Sequence, residues 1–192
     1  LEEDRQACKQ KIYDFNQLPP SRQSKEAPQM IKNIFGKTGE NVWVEAPFHC
    51  DYGWNIEVGE NFYSNYNLTI LDVGKVTCGK NVQIAPNVSI YTAGHPVHPD
   101  SRNSGYEYGI PVTVGDNVWI GGNTVILPGV TVGSNVVIGA GSVVSKDIPD
   151  NTIAAGNPCK VIREITDEDR IYYFKKQKFD DEAWEEVKNK NK

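Results

Sequence analysis

Val114-Gly115-Asp116-Asn117-Val118-Trp119, Ile120-Gly121-Gly122-Asn123-Thr124-Val125, Ile126-Leu127-Pro128-Gly129-Val130-Thr131, Val132-Gly133-Ser134-Asn135-Val136-Val137, Ile138-Gly139-Ala140-Gly141-Ser142-Val143 and Val144-Ser145-Lys146-Asp147-Ile148-Pro149 follow one another without a break. Each block opens on Val or Ile, Gly usually stands second, and the fifth position is small or β-branched. A strand turns successive side chains to opposite faces. The first and fifth positions of a block can therefore both point inward, and the polar and Gly positions between them make a corner. Three six-residue sides return the chain above its own start, about 4.8 Å further along the axis. Each coil then hydrogen-bonds to the next, and the inward rows stack into one core. Fixed short repeats of this kind mark a parallel β-helix.

The same frame extends toward the N-terminus with two interruptions. Val44, Phe48, Cys50 and Trp54 fit positions one and five of early, imperfect hexads. Val58, Phe62, Ser64 and Leu68 fit after a two-residue slip, and a second slip falls near Asp72-Val73-Gly74-Lys75. Cys78, Val82, Ile84, Val88 and Ile90 then share the frame of the regular blocks, which puts Cys78 inside as a small apolar filler. Between Ile90 and Val112 the pattern stops. Residues from about 92 to 111 read as a loop extruded from one corner, and an interruption in a regular scaffold is where function concentrates.

The ends read as helical. Residues 1–17 mix charged and apolar positions, and Pro19-Pro20 stops them. Ser24 to Phe35 reads as a second helix, capped by Ser24 and closed by Gly36. Thr166 is placed to cap a C-terminal helix whose first turn holds Asp167-Glu168-Asp169, with a charged, fraying tail from Glu185 to Lys192. The expected organisation is thus a helical segment over 1–41, the β-helix over 42–165, and a helix and tail over 166–192.

The chain has 192 residues and a net charge of −5, so neither nucleic acid nor an anionic membrane is an expected partner. No apolar run is long enough to span a bilayer. The opening Leu1-Glu2-Glu3-Asp4 is unlike a signal peptide and, lacking Met, reads as a trimmed or incomplete start. Cys8, Cys50, Cys78 and Cys159 form no C-x-x-C pair, which suits a reducing cytoplasm. The glycosylation sequons at Asn67 and Asn87 are read as chance.

His95 stands at the start of the extruded loop, between Gly94 and Pro96. An imidazole titrates near neutrality and suits removal of a hydroxyl proton. Spacing alone fits an idle surface histidine equally well.

Further motifs bear on that choice. Asn65-Tyr66-Asn67, Ile84-Ala85-Pro86-Asn87, Gly94-His95-Pro96-Val97-His98, Val118-Trp119-Ile120-Gly121, Ile138-Gly139-Ala140-Gly141-Ser142 and Gly156-Asn157-Pro158-Cys159-Lys160-Val161-Ile162-Arg163 together resemble the maltose and galactoside O-acetyltransferases. Tyr13-Asp14-Phe15-Asn16 and Pro47-Phe48-His49-Cys50-Asp51-Tyr52-Gly53 resemble the same family, so the likeness covers about residues 8–165. It implies a left-handed β-helix, a homotrimer with shared sites, and direct transfer of acetyl from acetyl-CoA to a sugar hydroxyl, most simply the 6-hydroxyl. His95 would be the general base. Asp14, Asp51 and Asn65 would line the acceptor site, with Asn65 also near the acetyl group. Trp119, Gly122, Ala140, Ser145, Lys146, Lys160 and Arg163 would meet CoA, the three cations at its phosphates. The galactoside members carry serine at Asp51 and aspartate at Val73, so this chain stands closer to the maltose pattern. A non-sugar or amino-sugar acceptor is the alternative. A three-histidine zinc site (His49, His95, His98) and a non-catalytic scaffold are the remaining rivals. The surroundings of His49 match the acetyltransferase pattern, and no metal is expected.

Overall fold

The computed structural model describes residues 1–190. Its strands form a three-faced parallel solenoid. The first face carries Val42–Val44, Phe62–Ser64, Gln83–Ile84, Trp119–Ile120, Val137–Ile138 and Thr152–Ala155, with Lys160–Glu164 added antiparallel at its edge. Phe48–Cys50, Leu68–Leu71, Ser89–Tyr91, Val125–Ile126 and Val143–Val144 make the second. Ile56–Val58, Val76–Cys78, Val112–Val114 and Thr131–Val132 make the third. Register is in steps of one coil: Val114 pairs with Val132, Trp119 with Val137, and Val125 with Val143.

The hexad frame decides what lies inside. Val114, Ile120, Ile126, Val132, Ile138 and Val144 are buried, as are Val118, Thr124, Val130, Val136, Ser142 and Ile148. The two hydroxyls in that core are satisfied by backbone carbonyls: Thr124 donates to Gly121 at 2.7 Å and Ser142 to Gly139. No buried side-chain nitrogen or oxygen among the described residues lacks a partner, as a stable interior requires. Cys78 is inside as expected, and burial pushes its thiol up to about 12.

Trp54 is not inside. The corner of the first coil is longer than a hexad corner, and Ile56, fully buried, takes the inward place, leaving Trp54 52% exposed. The Asp72 carboxylate holds this corner, accepting the N–H groups of Asp51 at 2.8 Å, Tyr52 at 3.0 Å and Gly53 at 2.7 Å.

The other corners rest on asparagine. Asn61, Asn81, Asn117, Asn135 and Asn151 occupy the turn from third to first face with φ between 55° and 58°. This left-handed region is costly for most side chains, and asparagine is among the few that visit it routinely. Their amides form a ladder: Asn61 donates to Asn81 at 2.9 Å, Asn81 to Asn117 at 2.8 Å, Asn117 to Asn135 at 2.9 Å and Asn135 to Asn151 at 2.8 Å. Asn67 and Asn87 stack similarly at the turn from first to second face, at 2.9 Å. Turn geometry is thus the physical reason for both sequon asparagines.

Two helices cover the first coils. Helix α1 (Glu2–Asn16) buries Cys8, Ile12 and Phe15. Helix α2 (Pro20–Ile34) starts four residues before the expected Ser24, with Pro20 at its first turn, where a missing N–H costs nothing. Gly36 does not cap it. Phe35 ends the helix in extended backbone, and the Gly36 N–H already donates to Ile56 O at 3.0 Å, starting the solenoid.

The extruded loop leaves the turn from second to third face. Its base is an antiparallel pair, Ala93–Gly94 with Tyr108–Gly109, and its tip holds the short helix α3 (Pro99–Asn103). At the C-terminus, Thr166 and Asp169 cap each other's backbone, but on a 3-10 turn (Asp167–Ile171) rather than a longer helix. A hairpin follows, then helix α4 (Asp181–Lys190). The expected charged tail ends at Asn191 and Lys192, outside the described residues. No helix among the described residues is long and apolar enough to cross a membrane.

Candidate functional site

The candidate residues fall on two edges of the prism. Asn65, Gly122 and Ala140 lie on the turn from first to second face, Asn65 directly after its first-face strand and the other two one residue further on. Trp119 stands beside them on the first face, 55% exposed. Small residues are required along this edge. A Cβ on Gly122 would sit 3.1 Å from Pro86 O, and one on Gly121 would sit 2.8 Å from Ile138 O. Asn65 holds its own turn, its Oδ1 accepting the Tyr66 N–H at 2.8 Å. The result is an edge built largely of backbone and small side chains.

His95 lies across the second face on the other edge, together with Ser145 and Lys146. Its loop is clamped at the base. Gly94 lies so close to the Tyr108 ring that a Cβ would clash, and a Cβ on Gly74 would sit 3.0 Å from the Gly109 carbonyl carbon. His95 Nδ1 lies 3.1 Å from Tyr106 O. A carbonyl only accepts, so Nδ1 carries a proton, and in the neutral imidazole the lone pair is then on Nε2. The imidazole is exposed. Tyr106 was missed by sequence reasoning, because the group that matters is a backbone carbonyl and no residue type advertises it. His98 does something else: its Nδ1 accepts the Asp100 N–H at 3.2 Å and caps α3.

Beneath the loop, two coils down on the same edge, lies a charged and aromatic cluster. Arg5 on α1 binds Asp51, its Nε 3.0 Å from Oδ1 and its Nη2 also in contact. Asp51 drives the Arg5 guanidinium further above its usual range, with a smaller push from Glu107 on the loop. The guanidinium also sits over the Tyr52 ring, 5.8 Å from its centroid. Asp72 behind them is fully buried, and burial raises its carboxyl despite its three N–H donors. Cys8 and Cys50 meet here too, Sγ to Sγ 3.7 Å, and the Cys50 hydrogen bond lowers the Cys8 thiol.

Asp14 is not part of this cluster. It lies nine residues after Arg5 on α1, which at 3.6 residues per turn is the opposite side of the helix. Asp14 accepts from Gln10 at 2.9 Å and borders a recess with Lys11, Met30, Asn33 and Ile34. Of the three cations, Lys146 and Lys160 are exposed, whereas Arg163 is committed to Asp169 through two contacts of 2.7 Å. Asp169 is held far below the usual carboxylate range by that pair. No cluster of three or more histidine, cysteine or acidic residues among the described residues could hold a metal ion.

Residues 111–146 match a family described as bacterial transferase hexapeptide (six repeats), and residues 1–39 match the maltose acetyltransferase hexapeptide capping motif. A galactoside O-acetyltransferase of Escherichia coli is 54% identical over 178 residues, 93% of this chain and 87% of that protein. Among solved structures, a galactoside acetyltransferase in complex with coenzyme A superposes with a TM-score of 0.91 at 53% identity, covering 93% of this chain and 89% of the other. A maltose O-acetyltransferase from Clostridium difficile gives 0.84 at 53% identity, covering 86% and 88%.

Proposed function

The chain belongs to the hexapeptide-repeat acetyltransferases of the galactoside and maltose type, and from that membership we propose that it transfers acetyl from acetyl-CoA to a sugar hydroxyl, the 6-hydroxyl of a maltose-like or galactoside acceptor, with His95 as general base. The observation that carries the proposal is the His95–Tyr106 contact. It fixes the tautomer and leaves Nε2 free to take a proton from an attacking hydroxyl. A neutral sugar hydroxyl is a poor nucleophile because so little of it is ionised. Proton removal during attack avoids a free alkoxide. The cysteines are not assigned as nucleophiles: Cys78 is buried with a raised pKa, Cys159 is buried and also raised, and Cys8 and Cys50 are engaged with each other.

The residues present suit acetyl-CoA. Its thioester supplies the activated acetyl group. The edge along Gly122 and Ala140 is rich in backbone groups, and the exposed Lys146 and Lys160 offer charge to phosphates. Arg163 can contribute only in competition with Asp169. Asp51 and Asn65 are assigned to the acceptor. Asp14 belongs to the same assignment, from the side of α1 opposite Arg5.

A homotrimer belongs to this reading. His95 and Asn65 sit on different edges of one prism, so a single chain does not bring them together. Side-by-side packing of prisms would set the His95 edge of one against the Asn65 edge of its neighbour. The exposed Trp119 and half-buried Val125, Val137 and Val143 would then be covered. A cytoplasmic setting completes the proposal, in keeping with four free cysteines. The test is an acceptor screen with acetyl-CoA, read by free-thiol release, over glucose, maltose, galactosides and amino sugars. Release with an amine acceptor and with no sugar would replace this reading.

A further inference from the structure

We propose that Trp54 and Tyr52 form a stacking platform for a second ring of the saccharide acceptor, so that the site favours acceptors larger than a monosaccharide. The proposal rests on the acyl-transfer reading above and extends it. Trp54 is 52% exposed at the corner of the first coil, and its ring lies 5.7 Å from that of Tyr52, tilted by 49°. Nothing in the core needs it there. Ile56 fills the inward position, and Gly36 packs against the Trp54 backbone rather than its ring.

The platform is joined to the candidate base by a chain of neighbours. Tyr52 lies under Arg5, Arg5 holds Asp51 and feels Glu107, and Glu107 follows Tyr106, whose carbonyl holds His95. All of these groups sit on the same edge of the prism, with Trp54 two coils below the loop. At about 4.8 Å per coil the vertical separation is roughly 10 Å, more than one pyranose ring can span.

The chemistry of the strip is what a saccharide presents in complement. A pyranose has C–H groups on its faces and hydroxyls round its rim. Aromatic faces take the former, and the Arg5–Asp51 pair beside Tyr52, with the guanidinium its more exposed partner, offers N–H donors to the latter. A ring reacting at His95 would place its linked neighbour along the strip toward Trp54.

The experiment compares kcat/KM for methyl glucoside, with one ring, and maltose, with two, using thiol release from acetyl-CoA. Trp54→Ala is expected to lower the maltose to methyl glucoside ratio by about tenfold, mainly through KM for maltose. Trp54→Phe should keep most of the ratio, because a planar face remains. A ratio unmoved in Trp54→Ala, or an equal fall with both acceptors, overturns the platform while leaving the acyl transfer standing. So does dissociation of the oligomer in Trp54→Ala, since the ring would then belong to a subunit contact. No turnover of any saccharide by the unaltered protein removes the transfer reading and the platform together.

Discussion

His95 is the proposed general base, and three features around it fit that role. Gly94 and Pro96 constrain the backbone, Tyr106 O fixes the tautomer, and Nε2 remains free. His95→Ala should lower kcat by at least about a hundredfold, measured at saturating acetyl-CoA, with the oligomer intact because the loop lies outside the core. His98→Ala removes only a cap on the five-residue α3 and should do far less. Larger loss in the His98 variant would exclude the mechanism. Asp72 makes a second prediction. Its folded pKa is raised from 3.8 by burial, so the folded chain takes up its proton more readily than the unfolded one. Stability from this group is therefore present at low pH and lost as pH rises through the raised value. Asp72→Asn should remove that slope. It should also be less stable at pH 7 by about 1–3 kcal/mol, since an amide cannot accept from all three N–H groups. Denaturant unfolding across pH checks both; parallel pH curves for the two proteins would contradict the assignment.

At the scale of the element, the corner decides more than the strand. The strands of the regular blocks are only two residues long, too short to hold a fold by themselves. They are held in register by the turns. Asn135 has φ 56°, accepts from Asn117 and donates to Asn151. Asn135→Val would force a β-branched residue into the left-handed region and remove two ladder bonds, a loss of about 2–4 kcal/mol. Asn135→Gly keeps the backbone conformation at low cost and should lose only the bonds. Equal melting temperatures for the two variants would show that the backbone angle is not what matters there. The helices follow a different logic. Proline at the first turn outranked Ser24 as a start for α2, and a sequence offering both signals four residues apart leaves that choice to packing.

For the whole molecule, the separation of His95 from Asn65 sets the expectation. Sedimentation at micromolar concentration should give a particle of three times the 21.4 kDa chain, and activity should fall on dilution below the assembly threshold. Mixing His95→Ala chains with Asn65→Ala chains should regain part of the activity, because some edges in the mixed assembly pair two unaltered sides. A stable monomer with full activity would contradict the shared site.

The hexads determined the solenoid, its register and almost all of its interior, because a period-two strand closed every six residues leaves each position only one direction to face. They also marked the extruded loop, since a break in so regular a pattern is visible without coordinates. Trp54 shows the limit. Its spacing fitted an inward position, and the extra residues of its corner, braced by a carboxylate from the next coil, turned it out and put Ile56 in its place. The pairing of Arg5 with Asp51, of Arg163 with Asp169, and of His95 with a carbonyl eleven residues away likewise needed the folded chain. Each depends on distances between coils or across a loop, and a linear pattern records the direction of a side chain but not what stands opposite it.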